Sequence, residues 1–185
     1  CLSHLKKKSP DRFFMMVEGG NIDHAAHAND GGAVIKEIIN FDQSLRIAYD
    51  FYLQHPDETL IVVTADHDTG GMALGNPHLK YNVKLEYIDY QRMSKDNFSD
   101  ICKAMYQSGK APAWESMKQM LEDKFGLWKQ VPVSDEQEKL LIDKFDATYR
   151  LRNSEDQQTL YNNFNAFAVA VFDTLDRVTG IGWTT

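Results

Sequence analysis

Cysteine is scarce in this chain, and its two copies, Cys1 and Cys102, lie far apart. No Cys-x-x-Cys clip is available to hold a metal, one disulfide at most is open to the chain, and two unpaired thiols are the favoured expectation. Long apolar runs are also missing: none approaches the roughly 20 residues that span a bilayer, and Cys1-Leu2-Ser3-His4 offers no basic and apolar signal region. A surplus of cations is absent as well. With a net charge of −7, the chain has no field that would gather nucleic acid or an anionic membrane, and Lys6-Lys7-Lys8 reads as a solvated turn. Disorder is excluded by composition, since 43% of the 185 residues are hydrophobic, enough for one sizeable core and a small second module. The mature chain is expected to be soluble. Starting on cysteine instead of methionine points to a processed protein or an excised piece.

What is present is concentrated in two places. Phe13 to Val17 is a continuous apolar run ending at Glu18-Gly19-Gly20, and Leu60 to Val63 is another ending shortly before Asp66-His67. Both read as fully buried strands. Between them Val34, Ile38, Phe41, Leu45, Ala48 and Tyr52 recur at helical steps, ending before His55-Pro56. Strand, helix, strand predicts a parallel pair with a right-handed crossover, whose sites form at the carboxyl ends of the strands. Both polar clusters fall at those ends and should face one crevice.

The stretch "VEGGNIDHAAH" holds Glu18, Asp23, His24 and His27. Asp23 and His27 are four apart, so one helix face presents a carboxylate and an imidazole to a single ion. Asp66 and His67 are adjacent and would diverge on a regular strand, but a bend at the strand end lets them converge. Oxygen with nitrogen suits zinc or a similar transition ion, whereas the lone carboxylate of Glu18 suits magnesium. Either pair alone is weak evidence. Their coincidence at neighbouring strand ends, beside Gly19-Gly20 and Gly70-Gly71, is what makes a metal site the better reading.

From Met72 to Tyr90 the pattern is mixed, with a turn at Gly75-Asn76-Pro77. The second half is helical. Trp114, Met117, Leu121 and Phe125 mark one helix. Ser134 with Gln137 forms a capping box that opens another carrying Leu141, Phe145 and Tyr149. Ser154 would cap a third helix through Leu160, Phe164, Phe167, Val171 and Leu175, ended by Gly180. Ile181 to Thr185 starts a further strand. Three parts follow: an α/β metal-ligand segment at 1–77, a largely helical insertion at 78–180, and a returning core strand at 181–185. The fold class is α/β, a parallel sheet flanked by helices.

The segments "FFMMVEGGNIDHAAH" and "TLIVVTADHDTGGM" resemble the metal-binding segments of alkaline phosphatases, over roughly the first 75 residues and including the interval between them. The resemblance implies an alkaline-phosphatase-like core, present in part. It makes Glu18 the magnesium ligand, Asp23 and His27 ligands of a first zinc, and Asp66 and His67 ligands of a second. His24 falls where the family places a residue near the phosphate, although a solvated histidine at a helix start accounts for it nearly as well. The implied reaction is phosphomonoester hydrolysis through a phosphoserine, with two zinc ions and one magnesium in the intact site. A phosphomonoester substrate, a periplasmic or secreted location and a homodimer are implied likewise, with no nucleic-acid or membrane partner.

Departures from the family pattern are specific. The family's nucleophile lies upstream in an Asp-Ser-Ala type motif, and no such tripeptide occurs here. A third ligand for the first zinc follows a motif like "GWTT" in the family, and this chain stops at Gly182-Trp183-Thr184-Thr185. His78, the only histidine after His67, sits at a surface turn. The expectation is a C-terminal fragment of an alkaline phosphatase, cut short at both ends and inactive alone. Two rivals stay open: another two-metal phosphoryl-transfer enzyme resembling phosphoglycerate mutases, and a non-catalytic scaffold module.

Overall fold

The computed structural model describes residues 1–153, 156–158 and 162–184. Three helices occupy the N-terminal part: α1 (Leu2–Lys8), α2 (Gly20–His27) and α3 (Gly31–Gln54). The Lys6-Lys7-Lys8 run is therefore helical, filling the last turn of α1, where cations suit the helix dipole. Asp30 opens α3 by accepting a hydrogen bond from Ala33 N at 3.0 Å. The helix stops at Gln54 because Pro56 disfavours helical backbone at the residue before it. Of the expected stripe, Val34 is buried and Phe41, Leu45, Ala48 and Tyr52 are half-buried, but Ile38 is exposed.

Each of the two apolar runs beside α3 is extended but belongs to no sheet among the described residues. In 13–17, Phe13 packs edge-on against Phe51 of α3, while Phe14 and Met16 are 87% and 79% exposed. In 60–63, Leu60 and Val62 are 87% and 72% exposed. The expectation of fully buried parallel strands is thus corrected. Continuous apolar sequence signals burial on both faces, and this chain covers only one face of 13–17, nor does it hydrogen-bond the two runs to each other.

What sheet there is among the described residues is short and antiparallel. Strand β1 (Ala73–Leu74) pairs with a strand near the far end of the chain, Ile181–Gly182, with Ala73 opposite Gly182 and Leu74 opposite Ile181. The expected strand start at Ile181 is therefore present.

Between these strands lies a helical body: a 3₁₀ turn (Leu85–Tyr90), α4 (Lys95–Gln107), α5 (Trp114–Phe125), α6 (Asp135–Phe145) with a π-helical extension (Asp146–Arg150), a two-residue hairpin of β2 (Gln157–Gln158) with β3 (Asn163–Phe164), and α7 (Ala166–Thr179), followed by the strand already described, β4. Ser134 and Gln137 form the capping box that opens α6, and Gly126 and Gly180 end α5 and α7 in left-handed backbone. The expected third helix starts later than its apolar spacing suggests. Asn165 caps α7 by accepting from Phe167 N and Ala168 N, and Phe164 sits before it in β3. Ser154, Leu160 and Thr185 lie outside the described residues.

The apolar stripes of these helices form one core. Phe98, Cys102, Met117, Leu121, Phe125, Leu141, Phe145, Phe167 and Val171 are buried together, with edge-to-face ring contacts between Phe98 and Phe125 and between Phe145 and Phe167. Each such side chain contributes about 1.5–3 kcal/mol on burial. Cys102 is a free thiol inside this core, and Cys1 is free at the surface. No helix among the described residues is long and apolar enough to cross a membrane.

Candidate metal centre

Helix α2 begins directly after Gly19 and is only eight residues long, so Asp23 lies in its first turn and His27 in its last. An acidic side chain is favoured near a helix N-terminus and an imidazole near the C-terminus. Four positions apart, the two meet on one face, with His27 Nε2 3.5 Å from Asp23 Oδ1. The opposite face carries Ala25 and Ala26, which are buried with Val34 and packed by Trp183. Small residues there let α2 lie close to α3 while its polar face stays accessible.

The second pair follows the extended run 60–63. His67 N donates to Asp66 Oδ1 at 3.0 Å, a local bond that bends the chain and turns the imidazole back, leaving His67 Nε2 3.5 Å from Asp66 Oδ2. His67 Nδ1 lies 3.0 Å from the Asp68 carbonyl oxygen. That hydrogen bond, helped by the Asp66 carboxylate, raises the imidazole pKa above its ordinary value.

A tetrahedral ion bound at about 2.0–2.2 Å places neighbouring ligand atoms about 3.4 Å apart. Both nitrogen–oxygen pairs already stand at that spacing, so their donors fit a zinc-like ion. Neither pair grows to three: among the described residues no group of three or more His, Cys, Asp or Glu side chains converges. A zinc site in a catalytic centre takes three protein ligands. Each pair therefore offers two donors, one short of that set.

The two pairs are joined by Thr69, a residue the sequence reading does not single out. Its hydroxyl donates to Asp23 Oδ1 at 2.6 Å and lies 3.2 Å from His67 Nδ1. Nothing in the spacing of the letters signals it, since its partner Asp23 is 46 positions away. Behind Thr69, Gly70 and Gly71 take φ of +70° and +61°, and a side chain on Gly70 would strike the Ala26 carbonyl of α2 and the ring of Trp183. Trp183 in turn donates from Nε1 to Asp176 Oδ2 at 3.0 Å, and Thr184 N donates to Gly70 O at 3.1 Å. Helix α7 and the strand after it thereby back both ligand segments.

Glu18 and His24 stand apart from this arrangement. Glu18 is exposed at the end of the first extended run, beside Gly20, and joins neither pair in a group of three donors. His24 is exposed on α2 and faces the electrostatic field of Asp96 at the start of α4. His78 is exposed in the turn after Asn76, as expected, with its backbone N–H bonded to Asn76 Oδ1 at 3.0 Å.

Carboxylate–imidazole pairs set after extended segments, linked through one hydroxyl and backed by helices, are the type of donor arrangement that metal-assisted hydrolases build. The chain belongs to the alkaline phosphatase family, whose profile matches residues 2–140. It is 42% identical over 65 residues to the repressible alkaline phosphatase of Saccharomyces cerevisiae, covering 35% of this chain and 12% of that protein. To alkaline phosphatase 3 of Bacillus subtilis it is 46% identical over 68 residues, covering 37% of this chain and 14% of that protein. The chain thus spans a small part of the relatives' length. The fold is shared with the crystal structure of a cold-active alkaline phosphatase from a psychrophilic Shewanella, with a TM-score of 0.69 and 24% identity, over 97% of this chain and 37% of that one.

Proposed function

We propose that this chain supplies the metal-ligand portion of a phosphomonoester hydrolase of the alkaline phosphatase type. The observation that carries the reading is the pair of 3.5 Å donor spacings, Asp23 with His27 and Asp66 with His67, tied by one threonine. In this reading Asp23 and His27 hold a first zinc, Asp66 and His67 a second, Glu18 a magnesium, and His24 lies toward the phosphate. Metal ions bound there supply Lewis-acid stabilisation of the charge that develops on the phosphoryl oxygens. The chain's own contribution is to set four donors in two close pairs, on a helix and a bent segment that the Thr69 hydroxyl links. A serine nucleophile, and hence a phosphoserine intermediate, is assigned to sequence outside these 185 residues, since no Asp-Ser-Ala type motif is present. The two extended apolar runs are assigned the role of parallel strands completed by neighbours from the same outside sequence. Periplasmic or secreted location and a homodimer belong to this reading by family alone.

Calorimetric titration of the chain with zinc tests it, beside turnover of an aryl phosphate at alkaline pH. Zinc binding that is lost in Asp23→Ala and Asp66→Ala, with no turnover by the chain alone, is the expected result. No zinc affinity would remove the metal role, and turnover would show that a nucleophile lies within the chain.

A further inference from the structure

We propose that the groove between α6 and α7, built from neither donor pair, binds a small organic monocarboxylate: Lys144 and Arg177 hold the carboxylate, and the apolar body lies along the two helix faces. No metal ligand takes part.

The groove encloses about 510 Å³, within the roughly 300–1,000 Å³ of small-molecule sites. One wall is a face of α6 and its π-helical extension, where Gln137, Leu140, Lys144 and Ala147 recur at steps of three and four. The other is a face of α7, where Ala166, Ala170, Asp173 and Arg177 do the same. The alanines end at Cβ, so the two faces leave room between them where larger side chains would interlock.

The polar groups of this lining point to what fills it. Thr148 is 1% exposed, and its hydroxyl forms no hydrogen bond among the described residues, although it is not sealed from the groove that it lines. The other buried threonine of the lining, Thr174, donates instead to the Ala170 carbonyl at 2.9 Å. A buried hydroxyl without a partner calls for one. Lys144 and Arg177 likewise form no ion pair among the described residues, whereas Lys118, Lys129 and Arg150 each pair with a carboxylate. Both act on Asp173, whose carboxyl burial raises against the pull of Lys95, Arg177 and Lys144. Two cations against one carboxylate leave the lining with a single positive charge, which a monoanion neutralises. A doubly charged phosphate ester would leave excess negative charge beside Asp173. The Arg177 fork matches the two oxygens of a carboxylate, the Thr148 hydroxyl supplies a further donor, and Leu140 and Val169 cover an apolar body.

The test titrates octanoate into the full 185-residue chain by calorimetry, as wild type, as the double variant Lys144→Gln, Arg177→Gln, and as Thr148→Val. Lys144 and Arg177 are exposed, so their amides leave the helical body folded. Saturable binding is expected in wild type, with affinity about tenfold or more lower in the double variant and several-fold lower in Thr148→Val. Octanol and inorganic phosphate, which each carry half of the ligand's chemistry, are expected to bind about tenfold or more weakly than octanoate. No octanoate binding by wild type would overturn the proposal. So would binding unchanged in the double variant, which would place octanoate on the exposed apolar surface of the N-terminal part. Phosphate or octanol binding as tightly as octanoate would show that charge or apolar contact alone is read, and would overturn the monocarboxylate assignment. Thr148→Val is expected to keep the urea midpoint of wild type, since the hydroxyl makes no bond inside the protein. A lowered midpoint would show that hydroxyl satisfied internally and remove it from the site.

Discussion

Asp176 sits under Trp183 with its Oδ2 accepting the indole N–H, and burial pushes its carboxyl up to about 8, against the pull of Lys95 and of the indole. A raised carboxyl means that the native chain keeps a proton which the unfolded chain releases near pH 4. Between about pH 4 and 8 the native state then binds more protons, so this group's contribution to stability falls as pH rises and levels off above 8. Lys95, lowered by its own burial, acts with the opposite slope at higher pH. Urea midpoints at pH 5 and pH 8 are expected to differ more in wild type than in Asp176→Asn, whose amide oxygen still accepts from Trp183; equal differences would contradict the assignment. Residues of this kind mark where reading the sequence stops. That Asp23 meets His27 and that Asp66 meets His67 were legible because spacing alone sets which side chains share a helix face or a bend. Thr69 and Asp176 were not, because a hydroxyl or a carboxylate earns such a role only from what the fold sets beside it.

At the level of elements, local signals were the dependable ones. The capping box at Ser134 and Gln137 is made as its letters imply, with Gln137 N donating to Ser134 Oγ and Ser134 N donating to Gln137 Oε1. Ser134→Ala is expected to lower stability by about 1 kcal/mol in urea denaturation, and Ser134→Thr by much less. The helical stops at Gly126 and Gly180 were equally plain, since both residues adopt left-handed backbone. The start of α7 was misread because Phe164 and Phe167 are three apart and both buried, which imitates a helical face across a boundary. The signal that decides the boundary is Asn165, whose side chain caps the following turn. The runs at 13–17 and 60–63 were read as buried strands from composition alone, and hydropathy does not say where a strand's partners come from. In the same way, no pattern in the letters fixed the antiparallel pairing of β1 with β4.

Across the whole molecule the two halves differ in how fully they satisfy their apolar groups. The helical body closes on itself, whereas Phe14, Met16, Leu60, Val62 and Val63, together with Ile39, Ile47 and Leu53 of α3, leave apolar surface exposed on the N-terminal part. Exposed apolar surface of this extent binds dyes and drives association. The isolated chain is expected to bind an environment-sensitive naphthalene dye and to sediment with a concentration-dependent size. The double substitution Leu60→Lys, Val62→Lys is expected to reduce both effects and leave the melting of the helical body unchanged. A wild-type chain that stays monomeric and dark to the dye would show those runs to be covered from within.

The contact between Gly70 and the segment after α7 also dictates an order of events during synthesis. Thr184, whose N–H bonds to the Gly70 carbonyl, is 114 positions away, so the turn that seats Thr69 lacks the backing of Trp183 and Thr184 until those further residues have been made. At about 5–20 residues per second, the wait is on the order of ten seconds. Closing so large a loop is a late and entropically demanding step compared with the local helices between its ends. The turn that links the two pairs would therefore be braced late, after the helical body has formed, and a ribosome-bound chain halted before Ile181 would carry both pairs without Trp183 and Thr184 behind that turn.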